Sequence, residues 1–298
     1  MPENPHQPRP LSRAPIGEPA TRRRAIIFNA DDFGLTAGVN AGVIEAHRAG
    51  LVGSASLMVT TPAFDGALEL ARAHPALDLG IHLALTGVPP ALAHDAASGL
   101  VAGDRFHSLG VLLARLASGR VSAPALRAEL RAQLERALAS GLTFTHLDSH
   151  HHVHLLPHIS TVVGELAREC GIACVRRVPA LEAGTPCRPA QVLKRLMLRG
   201  ADWHAQPALR GLRHADAFRG VPFPANLAGW RRLLRGVPTG TTEFMCHPGR
   251  HDPAVAAFDS LVAGRAVELA WLRQPALAAL LRAHGITPAS FVDLDCPA

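Results

Sequence analysis

The chain has 298 residues, 48% of them hydrophobic, and a formal net charge of +6 that includes a single lysine, Lys194. That length suits one large α/β domain able to bury its apolar surface without disulfides. Aromatics are only 4%, with no tyrosine, and the arginines scatter along Ala- and Leu-rich segments; this argues against nucleic acid as a partner, and no run approaches the ~18 apolar residues of a transmembrane segment.

Residues 1–23 are rich in proline and polar side chains and lack a signal-like apolar run, which predicts a disordered leader before one domain over 24–298. A strand is expected at 25–29, closing on Asn29-Ala30-Asp31-Asp32-Phe33-Gly34. The spacing of Val39, Val43, Ile44 and His47 predicts a helix over 38–49, stopped by Gly50. A strand at 55–59, a helix at 63–73 and a strand at 79–83 carrying His82 follow. The Pro-, Gly- and Ala-rich stretch 89–104 reads as a loop. Leu126, Leu130, Leu134 and Leu138 lie four apart and predict a helix over 124–139, ahead of a strand over 142–150. A helix at 159–169, a strand at 172–178 and one helix near 192–199 come next, the last inside a poorly patterned region, 182–224. A strand at 241–246 ends on His247-Pro248-Gly249. One helix over 260–283 leads to a final strand at 290–292. This alternation implies an α/β fold with a mainly parallel sheet, and about seven or eight βα units favour a barrel in a single domain. Cys170, Cys174, Cys187, Cys246 and Cys296 form no CxxC pair and are odd in number, as expected of a reduced, cytoplasmic protein.

The chemistry gathers where strands give way to loops. Asp31 and Asp32 are adjacent, and neighbouring carboxylates repel unless a cation or a proton separates them. One can bind metal while the other takes a proton from water; the plainer alternative is a turn or helix-cap pair. His146, Asp148 and His150 occupy alternate positions and face the same way on a strand. Such a row is costly to bury unless it is hydrogen-bonded or binds metal. His82 and His247 are strand-end histidines, either exposed or functional, and His247 could protonate a leaving group. Carboxylates and imidazoles at this edge suggest a divalent metal held open for chemistry, hence a metal-dependent hydrolase. A metal-dependent phosphoesterase and a non-catalytic sugar-binding protein are the competing classes. Arg176 or Arg177 could orient Asp31 or an oxyanion, or simply be surface arginines. Gly34, Gly38 and Gly42 recur every four residues, consistent with close helix packing, and no GxSxG, Walker A or GxGxxG sequence is present.

Four segments in order resemble the YdjC-type carbohydrate deacetylases, a family that includes chitooligosaccharide deacetylases. They are Asn29-Ala30-Asp31-Asp32-Phe33-Gly34, Gly80-Ile81-His82-Leu83, His146 to His154, and Glu243-Phe244-Met245-Cys246-His247-Pro248-Gly249. The resemblance implies a distorted (β/α) barrel that removes the acetyl group from an N-acetylated sugar with metal-activated water. It implies one divalent metal ion, Mg or Zn, on Asp32, His82 and His150, with Asp31 as general base and His247 as general acid. A related branch acts on N-acetylglucosaminyl hopanoid lipids, and the His-rich motif here is closer to the oligosaccharide branch. A homodimer is compatible with the resemblance.

Overall fold

The structure, a computed structural model, describes residues 23–93, 95, 98–179, 189–220 and 223–294. The leader expected at 1–23 therefore lies almost wholly outside the described residues. Strands β1 (Arg24–Phe33), β2 (Val52–Leu57), β3 (Asp78–Leu83), β6 (His146–Ser149), β7 (Cys174–Val175), β8 (Ala217–Arg219), β9 (Gly240–Cys246) and β10 (Ile286–Pro288) form one sheet. Its order is β7-β6-β3-β2-β1-β9-β8, with β10 added to the start of β1, and every pairing is parallel. The sheet curls until its end strands approach, joined by an isolated parallel bridge between Cys174 and Arg213, just before β8. This is a distorted barrel, open where β7 and β8 would otherwise pair.

Helices α1 (Ala37–Arg48), α2 (Phe64–Ala73), α4 (Ala123–Leu138), α5 (Ile159–Glu169), α6 (Pro189–Ala205), α7 (Leu227–Arg235), α8 (Ala263–Leu272) and α9 (Pro275–Ala283) lie between or after the strands. Caps fix their starts: the side chains of Thr36, Ser122 and Asn226 accept from Val39, Ala125 and Gly229 backbone N–H groups. The buried Leu126, Leu130 and Leu134 form the core stripe of α4. Close packing explains Gly42: a Cβ there would sit 2.4 Å from Gly249 Cα, so α1 presses directly on the loop that follows β9. No helix among the described residues is long and apolar enough to cross a membrane.

Several elements depart from expectation for local reasons. The strand predicted at 142–150 shortens to β6, because His151 and His152 take left-handed backbone angles (φ 58 and 56) and turn the chain into a 3-10 segment, His150–Leu155. The helix predicted over 260–283 breaks into α8 and α9 at Pro275, which offers no N–H and restricts Gln274 before it. The last strand is β10; residues Phe291–Asp293 instead form a 3-10 turn closed by a Ser290–Asp293 capping box. Inside 89–104 begins a small hairpin, β4 (Val101–Ala102) with β5 (Arg105–Phe106), followed by α3 (Leu109–Ala117). β8, three residues long, is too short to leave a periodic signal; α7 does carry one, with Trp230, Leu233 and Leu234 on its buried face and arginines on the other.

Candidate active site

The site is built where β1, β2, β3, β6 and β9 end. β1 pairs with β2 as Ala30↔Ala55 and then Phe33↔Leu57, so β1 carries one extra residue at Asp31-Asp32. That bulge, with Asp32 at φ 63, lets two consecutive carboxylates turn toward one site, which a regular strand would prevent. Asp is among the few residues that tolerate this backbone region.

Asp32, His82 and His150 converge: one ligand-type atom from each lies within 4.8 Å of the others, and all three residues are buried. Asp32 Oδ1 is 3.3 Å from His82 Nε2 and 3.1 Å from His150 Nδ1. Its other oxygen accepts from Arg265 Nη2 at 2.6 Å. Arg265, itself buried on α8, also donates to Asp259 at 2.5 Å. Burial opposes ionisation of Asp32, but Arg265 and His150 hold it well below the usual carboxylate range.

His82 pairs in register with Asp148, and its Nδ1–H donates to Asp148 Oδ1 at 2.7 Å. This fixes the tautomer and leaves Nε2 toward Asp32, the arrangement typical of a metal-binding histidine backed by a carboxylate. Burial would make His82 less basic, yet Asp148 and Asp32 push it up to about 10. The space between Asp32 and Asp148 therefore demands positive charge, whether a proton on His82 or a cation. His150 Nε2 is buried with no hydrogen-bond partner. The donor set, its spacing and this orphaned nitrogen fit a divalent metal with open positions. Asp31, His82 and Asp148 form a second such group, but Arg176 already neutralises both of its carboxylates, so it fits a cation less well.

Asp31 is gripped by Arg176 through both oxygens, at 2.6 and 2.7 Å, and accepts from Asn29 Nδ2 at 2.9 Å. The same guanidinium reaches Asp148 at 2.8 Å and Glu243 at 2.6 Å. Burial alone would favour the neutral arginine, but the three carboxylates hold it charged. Burial pushes the Glu243 carboxyl up to about 7 against the pull of Arg176. Of the two arginines singled out from the sequence, Arg176 orients Asp31. Arg177 instead forms a buried pair with Asp202 of α6, at 2.6 and 2.9 Å.

His146 faces the same side as Asp148, as the alternation requires, since Ser56 Oγ contacts both, at 3.3 and 2.8 Å. It lies deeper, stacked on Phe291 at 3.7 Å between ring centres. Its ring fills the space beside Gly80, where a Cβ would come within 2.2 Å of it. Burial depresses His146 to about 4, so it is a neutral packing residue. His154 is also structural: Nδ1 meets Ser149 Oγ at 2.6 Å and Nε2 donates to the Arg176 carbonyl at 3.1 Å. His247 follows β9; the pairing Ala30↔Cys246 sets its backbone level with that of Asp31. Its N–H donates to Glu268 Oε2 at 2.6 Å, and its Nδ1 is buried without a hydrogen bond, 3.9 Å from the same carboxylate. Cys246 points elsewhere, toward the Asn29 carbonyl, and burial pushes its thiol up; it is not an activated nucleophile.

Sequence reasoning missed Ser56, Arg265 and Glu268. Arg265 and Glu268 sit three apart on α8, and that spacing of opposite charges on an otherwise apolar helix was their one visible signal.

The YdjC-like protein family profile matches residues 25–283. A carbohydrate deacetylase of Geobacillus stearothermophilus is 36% identical over 267 residues, spanning 88% of this chain and 95% of the relative. One of Vibrio parahaemolyticus is 34% identical (88% and 92% covered), and one of Mus musculus 35% identical (92% and 96%). Among solved structures, an Enterococcus faecalis protein named for cellobiose-phosphate cleavage superposes with a TM-score of 0.72 at 26% identity, covering 91% of this chain and 98% of its own.

Proposed function

The chain belongs to the YdjC-like protein family, and from that premise we propose that it is a metal-dependent deacetylase of an N-acetylated sugar. The observation that carries this reading is the buried convergence of Asp32, His82 and His150 beside an Asp31 held by Arg176. The names of the relatives, carbohydrate deacetylases over most of their length, support the sugar amide as substrate.

Asp32, His82 and His150 would hold one divalent ion, Mg or Zn. Such an ion polarises an amide carbonyl and makes water more acidic. Asp31 takes a proton from the attacking water as the new C–O bond forms. Its carboxylate is fixed by Arg176 through both oxygens, so little reorganisation is needed. His247 gives a proton to the sugar nitrogen as the C–N bond breaks, so that a free amine and acetate leave. Glu268 accepts from the His247 backbone N–H and so fixes the chain at the end of β9. Asp148 keeps His82 in the tautomer that offers Nε2.

The test is acetate release from N-acetylated chitooligosaccharides and, in parallel, phosphate release from sugar phosphates. Acetate with a matching free amine is expected. Phosphate release without acetate would favour the phosphoesterase class instead.

A further inference from the structure

Asp32, His82 and His150 are buried, and so are Asp148 and Arg265, which hydrogen-bond to this group. His151 touches the same group and is exposed. Its ring centre lies 4.0 Å from that of His150, with the two planes at 44°. His151 thus marks the solvent side of the ligand group.

The backbone puts it there. His151 and His152 both take left-handed angles, uncommon for any residue but glycine. This double turn ends the alternation of β6: the His151 ring stays outside beside His150, and His152 returns to the interior. An exposed histidine is ordinarily free to reorient, but this one is held. Its Nδ1 is 2.8 Å from Thr86 Oγ1, on the loop that follows the strand of His82. Thr86 is fully buried. A buried hydroxyl needs a partner, and here the partner is the His151 ring, which is fixed in turn. Asp259, between β9 and α8, and Lys194, on α6, are both near enough to act on the charge of that ring.

With Nδ1 on Thr86, Nε2 is the ring atom left for a ligand. Either tautomer serves, because the Thr86 hydroxyl and a sugar hydroxyl can each donate or accept. A polar edge held fixed from a buried residue, beside the reacting centre, is suited to orienting a neutral, hydroxyl-rich substrate. Resting on the deacetylase reading, we propose that His151 is a substrate-binding residue. Its Nε2 hydrogen-bonds a hydroxyl of the N-acetylated sugar, and Thr86 is the positioning residue that sets its ring.

Sugar binding is separated from turnover by working in Asp31→Asn, which should keep the metal site and lose the base. Calorimetry then gives the Kd of an N-acetylated chitooligosaccharide and, separately, that of Zn²⁺. Adding His151→Phe, which keeps a ring against His150, should raise the sugar Kd roughly three- to tenfold, the scale of one hydrogen bond between neutral groups. Thr86→Val, similar in volume but without the hydroxyl, should do the same by releasing the ring. His151→Gln, whose amide can reach the place of Nε2, should recover part of the affinity. Zn²⁺ affinity should stay the same throughout. With Asp31 restored, His151→Phe should raise KM far more than it lowers kcat. An unchanged sugar Kd in His151→Phe overturns the proposal. So does a parallel loss of Zn²⁺ affinity, which would make the ring a support for His150. If the oligosaccharide binds through His151 but the parent chain releases no acetate, the deacetylase reading falls and this proposal stands. No oligosaccharide binding in either chain overturns both.

Discussion

Replacing Arg176 with methionine perturbs the site most deeply. The guanidinium is fully buried and makes four charge-assisted contacts: two to Asp31 at 2.6 and 2.7 Å, one to Asp148 at 2.8 Å and one to Glu243 at 2.6 Å. Methionine fills much of the volume but leaves three buried carboxylates facing an apolar side chain. Breaking a buried ion pair by removing one partner costs about 3–5 kcal/mol, a large part of the ~5–15 kcal/mol that holds a domain folded. Glu243, already raised to about 7, can take a proton and relieve part of that cost, so the deficit should shrink as pH falls below 7. Urea melts at pH 7 and near pH 5 read both effects. Arg176→Lys keeps the charge but loses the fork on Asp31. It should stay folded and lose about 10²-fold in kcat, the scale of a misplaced catalytic group. A methionine variant within about 1 kcal/mol of the parent, together with a lysine variant of full kcat, would refute this account of Asp31.

Asp31→Asn should keep metal affinity, read by calorimetry, and lose most turnover, whereas Asp32→Asn should weaken metal binding; if affinity fell only in Asp31→Asn, the two roles would have to be exchanged. Buried, neutral His146 and His154 are depressed from 6.5 to about 4. The unfolded chain then binds more protons between those values, so stability is full above pH 6.5 and is lost as pH falls toward 4, on the order of 3 kcal/mol per histidine. His146→Gln should flatten that acid limb in thermal melts, and an unchanged limb would contradict the assignment. His247→Ala should cost about 10²–10⁴ in rate on an amide substrate and less on the corresponding acetate ester, whose leaving group needs less protonation; equal losses would mean that His247 only positions substrate.

The parallel sheet and the order of its elements could be read from the sequence because the strands are apolar runs separated by helices with clear spacing, as in 124–139. What the sequence hid was geometric. Nothing in Asn29 to Gly34 discloses the bulge that turns Asp31 and Asp32 to one side. The alternation reads His150 as closing a strand, but it opens a turn made by left-handed His151 and His152. The convergence of Asp32, His82 and His150 was expected from the resemblance and is present as geometry. Its supporting residues could not be assigned to it from the sequence because they come from distant segments: Arg265 lies 233 residues from the Asp32 it holds, and Ser56 lies 92 from Asp148. Such pairings exist only once the barrel has curled.

The central claim is a single catalytic metal held by Asp32, His82 and His150. The most direct test strips the purified chain with a chelator, reloads it with one divalent metal at a time, and measures metal stoichiometry and acetate release together, in the parent and in His82→Ala and His150→Ala. The account predicts one metal per chain, no acetate from the stripped protein, recovery on reloading, and loss of both metal and activity in the two variants. Full acetate release from the stripped protein, or a metal bound equally well without His82 and His150, would contradict it.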